Sequence, residues 1–540
     1  MMTDRGSRAG LSPGEMARAL REFRAVVGDA WVFSSEEDLT LYRDAYSPVR
    51  GEADERVASA AVAPVSVEEV QRIVRIAARL GVPLYPISAG RNLGYGGSAP
   101  VLSGSVILDL KRMNRILEVD EDNASVLVEP GVSYFDLYRF INEKNLKLWI
   151  DVPDPGWGSL IGNALDHGGG WTLNPFRDHF GAHCGMEVVL ANGDVVRTGM
   201  GALPGSGTWQ QNRYGVGPFI DGLFAQSNFG IVTKMGFWLY PAPEAFCSGE
   251  VMASNRDDIH EFVRITAQLA NAGIVNSAVM IRSPLLYAGL RDADTGAALA
   301  SSDRQSDAEW NRIARSKQLP SWATTLHFYG PPAVIAAQWE HAKQRFSVIQ
   351  GIRFEEGPRY HFPLAQPNAE AVLDKSALGI PNLSVFSMGA RSENYPDPAV
   401  GHLSFSPIIP MSGAALLQAH RVFASAVREW DIAPLGFGAG FCMYPRCLVF
   451  LFTLPLSQDE SHNRRTRAFF SHLIKLAAQH GWGEYRAHPL FMDEITDVYS
   501  YNGHALRRLQ ERLKDALDPE GILAAGRYGI WPQHLRSGRG

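Results

Sequence analysis

A glycine-rich stretch, PISAGRNLGYGG at residues 86–97, has the composition of a phosphate-binding turn. Glycine accepts positive φ and lets successive backbone amides surround an anion. Gly90, Gly94, Gly96 and Gly97 supply that freedom here. Their spacing matches neither the P-loop nor the G-x-G-x-x-G fingerprint of dinucleotide-binding folds. The spacing alone therefore favours a plain structural turn over a phosphate site.

Four other side chains have types suited to binding a buried anion and moving a proton. Tyr95 and the adjacent pair Tyr485 and Arg486 offer two hydroxyl donors and one permanent positive charge. Asp154, in the segment DVPD, is a carboxylate that can act as a general base. Taken alone, Tyr95 is equally well explained as an aromatic side chain that covers the core from a loop. The Tyr485-Arg486 pair is equally well explained as the exposed end of a strand.

Local signals predict the elements that hold these residues. Ser66 and Glu69 form a capping-box pattern, apolar residues follow at helical spacing, and Gly81 ends the predicted helix. Short apolar runs at 84–87 and 106–110 predict buried strands.

Two further segments carry turn signals. Asn192-Gly193 between apolar runs predicts a hairpin. The segment 148–170 is too rich in Gly, Pro and Asp for one regular element, so we expect an ordered loop there.

Composition narrows the class of protein. The chain has 540 residues with 46% hydrophobic and 20% charged residues, typical of a large globular protein. A net charge of -6 does not point to nucleic acid or an anionic membrane as a partner. Four scattered cysteines favour neither a disulfide framework nor a metal site. With no signal-like or membrane-length apolar run in the sequence, we expect a cytoplasmic protein.

Many blocks of the sequence, taken in order, resemble the vanillyl-alcohol oxidase and 4-cresol dehydrogenase family of flavoproteins. Besides residues 86–97 they include VEPGVSYFDLY, LWIDVPDPGWGSLIGNALDHG, DGLFAQSNFGIVTKMGFWL, GHLSFSPI, GWGEYRAH and LDPEGILAAGRYGIWP. Many collinear blocks are far more specific than any single motif. The chain is therefore identified as a member of this family.

The resemblance implies an α+β, two-domain flavoprotein. A PCMH-type (p-cresol methylhydroxylase-type) FAD-binding domain is expected over residues 1–243, and an α+β cap that holds the substrate over residues 244–495. Residues 496–540 are expected to return to the FAD-binding domain. The thinning of glycine clusters after Pro243 and the glycine-rich tail agree with this division.

The resemblance also implies which residues bind FAD. They are Pro86, Ser88, Gly90, Arg91, Asn92, Gly94, Gly96, Gly97, Pro130, Gly131, Gly158, Ser159, Gly162, Asn163, Gly230, Ile231, Val232 and Arg527, with His402 as the expected covalent link to the flavin.

In the resembled enzymes the substrate is a para-substituted phenol, and the implied roles carry over to matching residues. Tyr95, Tyr485 and Arg486 bind the phenol as phenolate. The benzylic carbon gives a hydride to FAD, which leaves a p-quinone methide. Asp154 then assists the addition of water or a tautomerisation, whereas Asp151 is expected to be structural and to cap backbone amides.

This chain departs from the family pattern at several positions. Trp171 stands where relatives have a tyrosine, and Ser404 where a bulky aromatic is common, so both are expected to shape the substrate pocket. The paired cap histidines are missing around residues 441–450, and so is an upstream histidine thought to promote flavin attachment. A lignin-derived 4-alkylphenol or lignan is therefore the expected substrate.

Alternatives remain at the level of the sequence. The electron acceptor is O2, favoured by His402, or an electron-transfer protein in a cytochrome-linked enzyme. A carbohydrate oxidase-like relative would lack the set Tyr95, Asp154, Tyr485 and Arg486, and a non-catalytic binding protein would carry no flavin. Relatives form dimers or larger assemblies, so a homodimer is expected.

Overall fold

The computed structural model describes residues 11–95, 97–172, 178–302, 306–364, 372, 374–388, 401–442, 444 and 446–536. The helices are α1 Pro13–Val27, α2 Glu36–Thr40, α3 Val67–Leu80, α4 Tyr134–Glu143, α5 Leu160–Leu165, α6 Ile259–Asn271, α7 Pro284–Arg291, α8 Ala293–Ser302, α9 Asp307–Lys317, α10 Pro332–Phe346, α11 Gly413–Trp430, α12 Glu460–Gln479, α13 Met492–Asp497 and α14 Tyr501–Leu517. None of the helices among these residues combines the length and apolar composition that crossing a membrane requires.

The strands fall into two sets that do not pair with each other in the described part of the chain. The first set is β1 Val32–Phe33, β2 Ala60–Val62, β3 Leu84–Ile87, β4 Val106–Asp109, β5 Ile116–Asp120, β6 Ser125–Val128, β7 Leu148–Trp149, β8 His183–Val189, β9 Val195–Arg197, β10 Ile231–Trp238 and β11 Tyr240–Pro241. The second set is β12 Ala245–Ala253, β13 Val279–Ile281, β14 Trp322–Gly330, β15 Arg353–His361, β16 Gly401–Phe405, β17 Ile408–Pro410, β18 Gly436–Cys442 and β19 Cys447–Leu456. The division lies between Pro241 and Ala245.

A four-stranded sheet of order β1-β2-β4-β3 carries the glycine-rich stretch at the end of β3. Strands β2, β4 and β3 run parallel, and β4 is buried along its whole length. Strands β3 and β4 occupy the two apolar runs, so both predictions are confirmed. The stretch therefore leaves the carboxyl end of a strand within a parallel sheet.

Helix α3 packs on this sheet and has the predicted ends. Ser66 accepts a hydrogen bond from the amide of Glu69, and Gly81 ends the helix with a φ of 67°. The Glu69 carboxylate accepts from the amide of Val65 at 2.8 Å, one residue before the expected partner of a capping box. The buried positions Val70, Ile73, Val74 and Ala77 form one helical face.

A second sheet, of order β5-β6-β10-β8-β9, is antiparallel throughout. Strands β8 and β9 form the hairpin predicted from Asn192-Gly193, and Gly193 takes a φ of 81°. The hairpin prediction is thus confirmed, with a loop closed by the amide of Leu190 donating to the Asp194 carbonyl and the amide of Gly193 donating to the Leu190 carbonyl.

The segment 148–170 differs from the expected continuous loop. It begins with β7, which pairs with β11, and it contains the short helix α5. The Ser159 hydroxyl caps α5 by accepting from the amide of Gly162 at 2.9 Å. Leu160, Ile161 and Ala164 bury its apolar face, and that burial stabilises a helix too short to show a periodic pattern in the sequence.

The second strand set forms two sheets, β14-β12-β15 and β13-β18-β19-β16, with β17 paired to β19. Helices α6, α11 and α12 pack on these sheets, and aromatic side chains fill the core between them. Phe405 lies edge-on to Phe423, Phe452 and Phe470 with ring centroids 5.5–6.4 Å apart. Such edge-to-face contacts give a rigid support for the segments that leave these sheets.

The C-terminal segment returns to the first sheet. The amide of Leu84 donates to the carbonyl of Ile522, and the amide of Ala524 donates back to Leu84, both at 2.7 Å. The fully buried Lys514 ammonium donates to Asp518 and to the carbonyls of Asn228 and Leu523. Because a buried ammonium needs all of its donors satisfied, this contact fixes the tail that carries Arg527.

Candidate active site

A cavity lined by residues 85–232 and by residues 486–527 of the C-terminal segment collects most of the residues that the sequence predicts. Of these, its wall contains Pro86, Ser88, Gly90, Arg91, Asn92, Tyr95, Gly97, Pro130, Asp154, Gly158, Ser159, Gly162, Asn163, Gly230, Ile231, Val232, Arg486 and Arg527. The wall also contains residues that the sequence did not single out, among them Asp166, Gln226, Asn228 and Met492.

The glycine-rich stretch forms one side of this cavity as a cradle of backbone. Gly90 takes a φ of 63°, and a Cβ added there would lie 2.1 Å from Ser98 Oγ. The amides of Gly90, Arg91 and Asn92 have no acceptor among the described residues. Free amides in a turn with positive φ form an anion-binding nest, so this side of the cavity fits the pyrophosphate of a dinucleotide.

Hydroxyl and amide groups extend the cradle across the cavity. Ser159 Oγ donates to Ser88 Oγ at 2.7 Å, which joins the start of α5 to the end of β3. A Cβ on Gly162 would lie 2.2 Å from Ser88 Oγ, so the close approach of these two segments requires glycine. Arg91 stacks its guanidinium 4.5 Å from the centre of the Trp157 ring. The donor set and the glycine cradle together fit FAD.

Tyr95, Tyr485 and Arg486 come together although the two segments lie far apart in the sequence. The two tyrosine rings meet edge-on with centroids 6.1 Å apart. The Arg486 guanidinium carbon lies 5.3 Å from the Tyr95 ring centre and 5.5 Å from that of Tyr485. The side chains of two tyrosines and one arginine are thus grouped in one place.

The ionisation of these groups suits anion binding. Burial raises the pKa of Tyr95 well above its ordinary value, so its hydroxyl stays neutral and can donate. Burial acts to lower the pKa of Arg486, but Tyr485, Asp166 and Tyr95 outweigh it, and the net pKa is raised. Arg486 therefore keeps its charge in a site that excludes water.

Asp154 lies in the same cavity wall and accepts hydrogen bonds from two side chains. Ser376 Oγ donates to its Oδ1 at 3.2 Å, and the Trp171 indole also donates to the carboxyl. Burial is the main influence on its pKa and raises it, against the effect of these two donors. A carboxyl with a raised pKa in a buried cavity is suited to proton transfer.

Several predicted residues lie behind the cavity wall. His402 is fully buried, and its ring lies 3.0 Å from a Cβ added at Gly94, next to Ser404. Gly131 packs on the backbone carbonyls of Lys111 and Met113, a contact that a side chain would block. Tyr485 contacts the cavity-lining residues Tyr95 and Arg486, and Trp171 donates to the cavity-lining Asp154. Gly96 lies outside the described residues.

Asp151 has the structural contacts expected for it. Its Oδ1 accepts from the amide and the hydroxyl of Thr172 at 2.7 and 2.8 Å, and its Oδ2 lies 3.2 Å from His179 Nε2. The other ring nitrogen of His179 is 2.8 Å from the Tyr134 hydroxyl. Asp151 thereby ties loop segments together behind the cavity.

Sequence reasoning missed two acidic residues next to the tyrosines. Asp166 contacts Asn92, Arg486, Arg527 and Tyr528. Glu484 accepts from the amide of Ser406, whose hydroxyl is 2.6 Å from that of Tyr95, and burial raises the pKa of Glu484 well above its ordinary value. Both lie within quoted blocks, NALDHG and GEYRAH, but only the fold brings Asp166 to Arg486 and Glu484 to Ser406.

Comparisons with known proteins agree with this site. Residues 58–199 match the model of the FAD binding domain family, and residues 399–528 match that of the C-terminal domain of FAD linked oxidases. The chain is 34% identical to the flavoprotein subunit of 4-cresol dehydrogenase (hydroxylating) from Pseudomonas putida, over 96% of this chain and 97% of that protein. It is 31% identical to 1'-carboxy-chondrochloren decarboxylase from Chondromyces crocatus, over 96% and 98%.

Solved structures give the same result. The 4-ethylphenol oxidase of Gulosibacter chungangensis, solved as an isoeugenol complex, superimposes with a TM-score of 0.83 at 35% identity, covering 98% of this chain and 99% of that chain. The fold and the site therefore define an FAD-dependent oxidoreductase with a PCMH-type FAD-binding domain and an α+β cap. The chain belongs to the vanillyl-alcohol oxidase and 4-cresol dehydrogenase family.

The cradle gives a direct test of where FAD binds. We expect Gly90→Ala to lower the FAD content of the purified protein, because alanine at a φ of 63° costs about 1–2 kcal/mol and its Cβ would collide with Ser98. Gly81→Ala is the matched control, since it places alanine at a similar φ of 67°, its Cβ would meet nothing within 4 Å, and it lies outside the cavity wall. The ratio of flavin absorbance to protein absorbance measures both variants. Equal flavin content in the two would contradict the assignment.

Proposed function

We propose that this protein oxidises a 4-alkylphenol, bound as its phenolate, by transfer of a hydride from the benzylic carbon to FAD. The observation that supports this most is the grouping of Tyr95, Tyr485 and Arg486 beside a cavity that also contains Asp154. The names of two relatives, a 4-cresol dehydrogenase and a 4-ethylphenol oxidase, point to the same class of substrate.

Binding as phenolate follows from the charge and the donors of the site. A phenolate oxygen in a water-excluding cavity needs hydrogen bonds and a positive charge to replace its hydration. Tyr95 and Tyr485 supply hydroxyl donors, and Arg486 supplies the charge. A negative oxygen pushes electron density toward the para position, so the benzylic carbon becomes a better hydride donor.

The remaining steps belong to the cofactor and to Asp154. FAD, when bound in the cradle, supplies the hydride acceptor. The oxidised substrate is a p-quinone methide, which gains water or loses a proton at its side chain. In its ionised form Asp154 takes the proton of the attacking water or the proton lost from the side chain. Trp171 and Ser376 hold the Asp154 carboxyl in place. Trp171 and Ser404, which lie behind the cavity wall, are proposed to leave room for a lignin-derived substrate.

The acceptor and the flavin linkage complete the proposal. We propose that O2 reoxidises the flavin and that His402 carries the flavin covalently. His402 supports this by its position against Gly94, one residue from the cavity-lining Tyr95. An electron-transfer protein is the alternative acceptor, and the dehydrogenase relative favours it. Consumption of O2 during turnover distinguishes the two acceptors.

The phenolate site is tested by the double variant Tyr485→Phe/Arg486→Ala. We expect it to retain FAD and to lose at least about a hundredfold in the rate of anaerobic flavin reduction by 4-ethylphenol, since a single preorganised donor already contributes on that order. Tyr499→Phe is the control, because it removes a nearby hydroxyl whose one hydrogen bond among the described residues goes to the backbone carbonyl of Glu484. Reduction at the wild-type rate in the double variant would rule out phenolate binding there.

The role of Asp154 predicts a pH dependence. Activity that needs ionised Asp154 is lost as the pH falls through its pKa, which burial has raised. Trp171→Phe removes a donor that stabilises the carboxylate, so the pKa rises further and the acid limb of kcat/KM moves to higher pH. Asp154→Asn should abolish that limb. An acid limb at the same pH in Trp171→Phe as in the wild type would show that Asp154 does not determine the pH profile.

The covalent link is tested by acid precipitation. We expect the yellow colour of the wild-type protein to stay in the pellet and that of His402→Ala to pass into the supernatant. His420→Ala is a comparison variant, because His420 is likewise buried but its Nε2 donates to the Gly438 carbonyl rather than packing against Gly94. Colour in the supernatant of the wild-type protein would contradict the covalent link and show that FAD is bound without one.

A further inference from the structure

Asp166 is a buried carboxylate that the proposed mechanism does not use. Its Oδ1 accepts from Arg527 Nη2 at 3.2 Å and from the Tyr528 hydroxyl at 2.5 Å. Its Oδ2 accepts from Asn92 Nδ2 at 3.1 Å and lies 4.0 Å from Arg486 Nε. The Asp166 backbone carbonyl accepts from that same Arg486 nitrogen at 2.7 Å. One residue thus contacts two arginines that come from distant segments.

The other partners of the two guanidiniums carry no charge. Arg486 Nη2 donates to the side-chain oxygen of Asn163 at 3.2 Å, and Arg527 Nη1 donates to the Tyr85 hydroxyl at 2.9 Å. Within the part of the chain that the structure describes, no second carboxylate forms an ion pair with either arginine. Asp166, Arg486 and Arg527, here named the Asp166 cluster, therefore carry two positive charges and one negative charge.

All three members of the Asp166 cluster lie in the wall of the same cavity. The side chains of Asp166 and Arg486 are only 9% and 10% exposed, so water screens their charges poorly. The resemblance assigns Arg527 to FAD, but its guanidinium already pairs with Asp166 and the backbone amides of the cradle serve the pyrophosphate, so the surplus charge of the cluster is available to one further anion. Arg486 contacts Tyr95 and Tyr485, which places that charge next to the proposed phenol site.

We propose that Asp166 is a positioning residue that acts as the shared counter-ion of Arg486 and Arg527 and sets the cluster to one surplus positive charge, the complement of a single phenolate. This inference rests on the proposed oxidation of phenols.

The counter-ion has a consequence for turnover. Without Asp166 two unpaired guanidiniums hold phenolates more tightly, and the product of a 4-alkylphenol is itself a phenol that must leave. With Asp166 but only one arginine the cluster is neutral and no longer favours the ionised substrate. By pairing with both arginines, Asp166 thus balances capture of the phenolate substrate against release of the phenolic product.

The experiment uses the FAD-loaded enzyme and 4-nitrophenol, a phenol without a benzylic hydrogen whose ionised form is yellow. Difference spectra over a pH series give the ratio of ionised to neutral ligand in the bound state. The variants are Asp166→Asn, Arg527→Gln and the two combined. Tyr528→Phe is the matched control, since it removes one hydrogen bond to Asp166 without changing any charge.

The expected shifts have opposite signs. Asp166→Asn should raise the bound ratio of ionised to neutral ligand about tenfold, Arg527→Gln should lower it by a similar factor, and the double variant should return it toward wild type. Tyr528→Phe should leave it within about twofold of wild type. If Asp166→Asn does not hold FAD, the decrease in Arg527→Gln, which keeps Asp166, tests the same charge balance.

Two results would overturn the inference. One is an unchanged ratio in both single variants, and the other is a shift of both in the same direction, as a purely structural disturbance would give. Failure of the wild-type enzyme to bind 4-nitrophenol at all would instead count against the proposed phenol function. The two proposals therefore fail in distinguishable ways.

Discussion

A guanidinium buried away from water is costly unless acceptors and negative charge surround it, and this condition organises the site around Arg486. Its Nε donates to the Asp166 carbonyl and its Nη2 donates to Asn163, and the Asp166 carboxylate lies close by. Burial acts to lower the pKa of Arg486, but Tyr485, Asp166 and Tyr95 outweigh burial, and the net pKa is raised. The charge that an anionic substrate needs is therefore available in a cavity that excludes water.

The same requirement explains why distant parts of the chain must meet. The glycine-rich stretch supplies Tyr95, the segment after α5 supplies Asp166, and the segment before α13 supplies Arg486. The tail supplies Arg527, held by the pairing of Leu84 with residues 522 and 524 and by the buried Lys514. If the tail leaves β3, Asp166 loses one of its two arginines. The return of the tail is thus linked to the charge of the site, not only to the stability of the sheet.

The sequence predicts local features of this architecture well and the convergence of charges poorly. Ser66, Gly81 and Asn192-Gly193 act on their own neighbours, so the helix ends and the hairpin follow from the residues alone. Helix α5 was not predicted, because tertiary burial of Leu160 and Ile161 rather than a periodic pattern stabilises it. Asp166 and the bond from Trp171 to Asp154 were missed for a related reason, since their partners are brought close only by the fold.

The central claim is that the enzyme oxidises phenols through their ionised form. The most direct test is anaerobic mixing of the purified protein with 4-ethylphenol and, separately, with 4-ethylanisole, in which a methyl group replaces the ionisable proton. The account predicts that the phenol bleaches the flavin absorbance and that the methyl ether, with the same benzylic carbon, does not. Equal bleaching by both compounds, or none with any 4-alkylphenol, would contradict it.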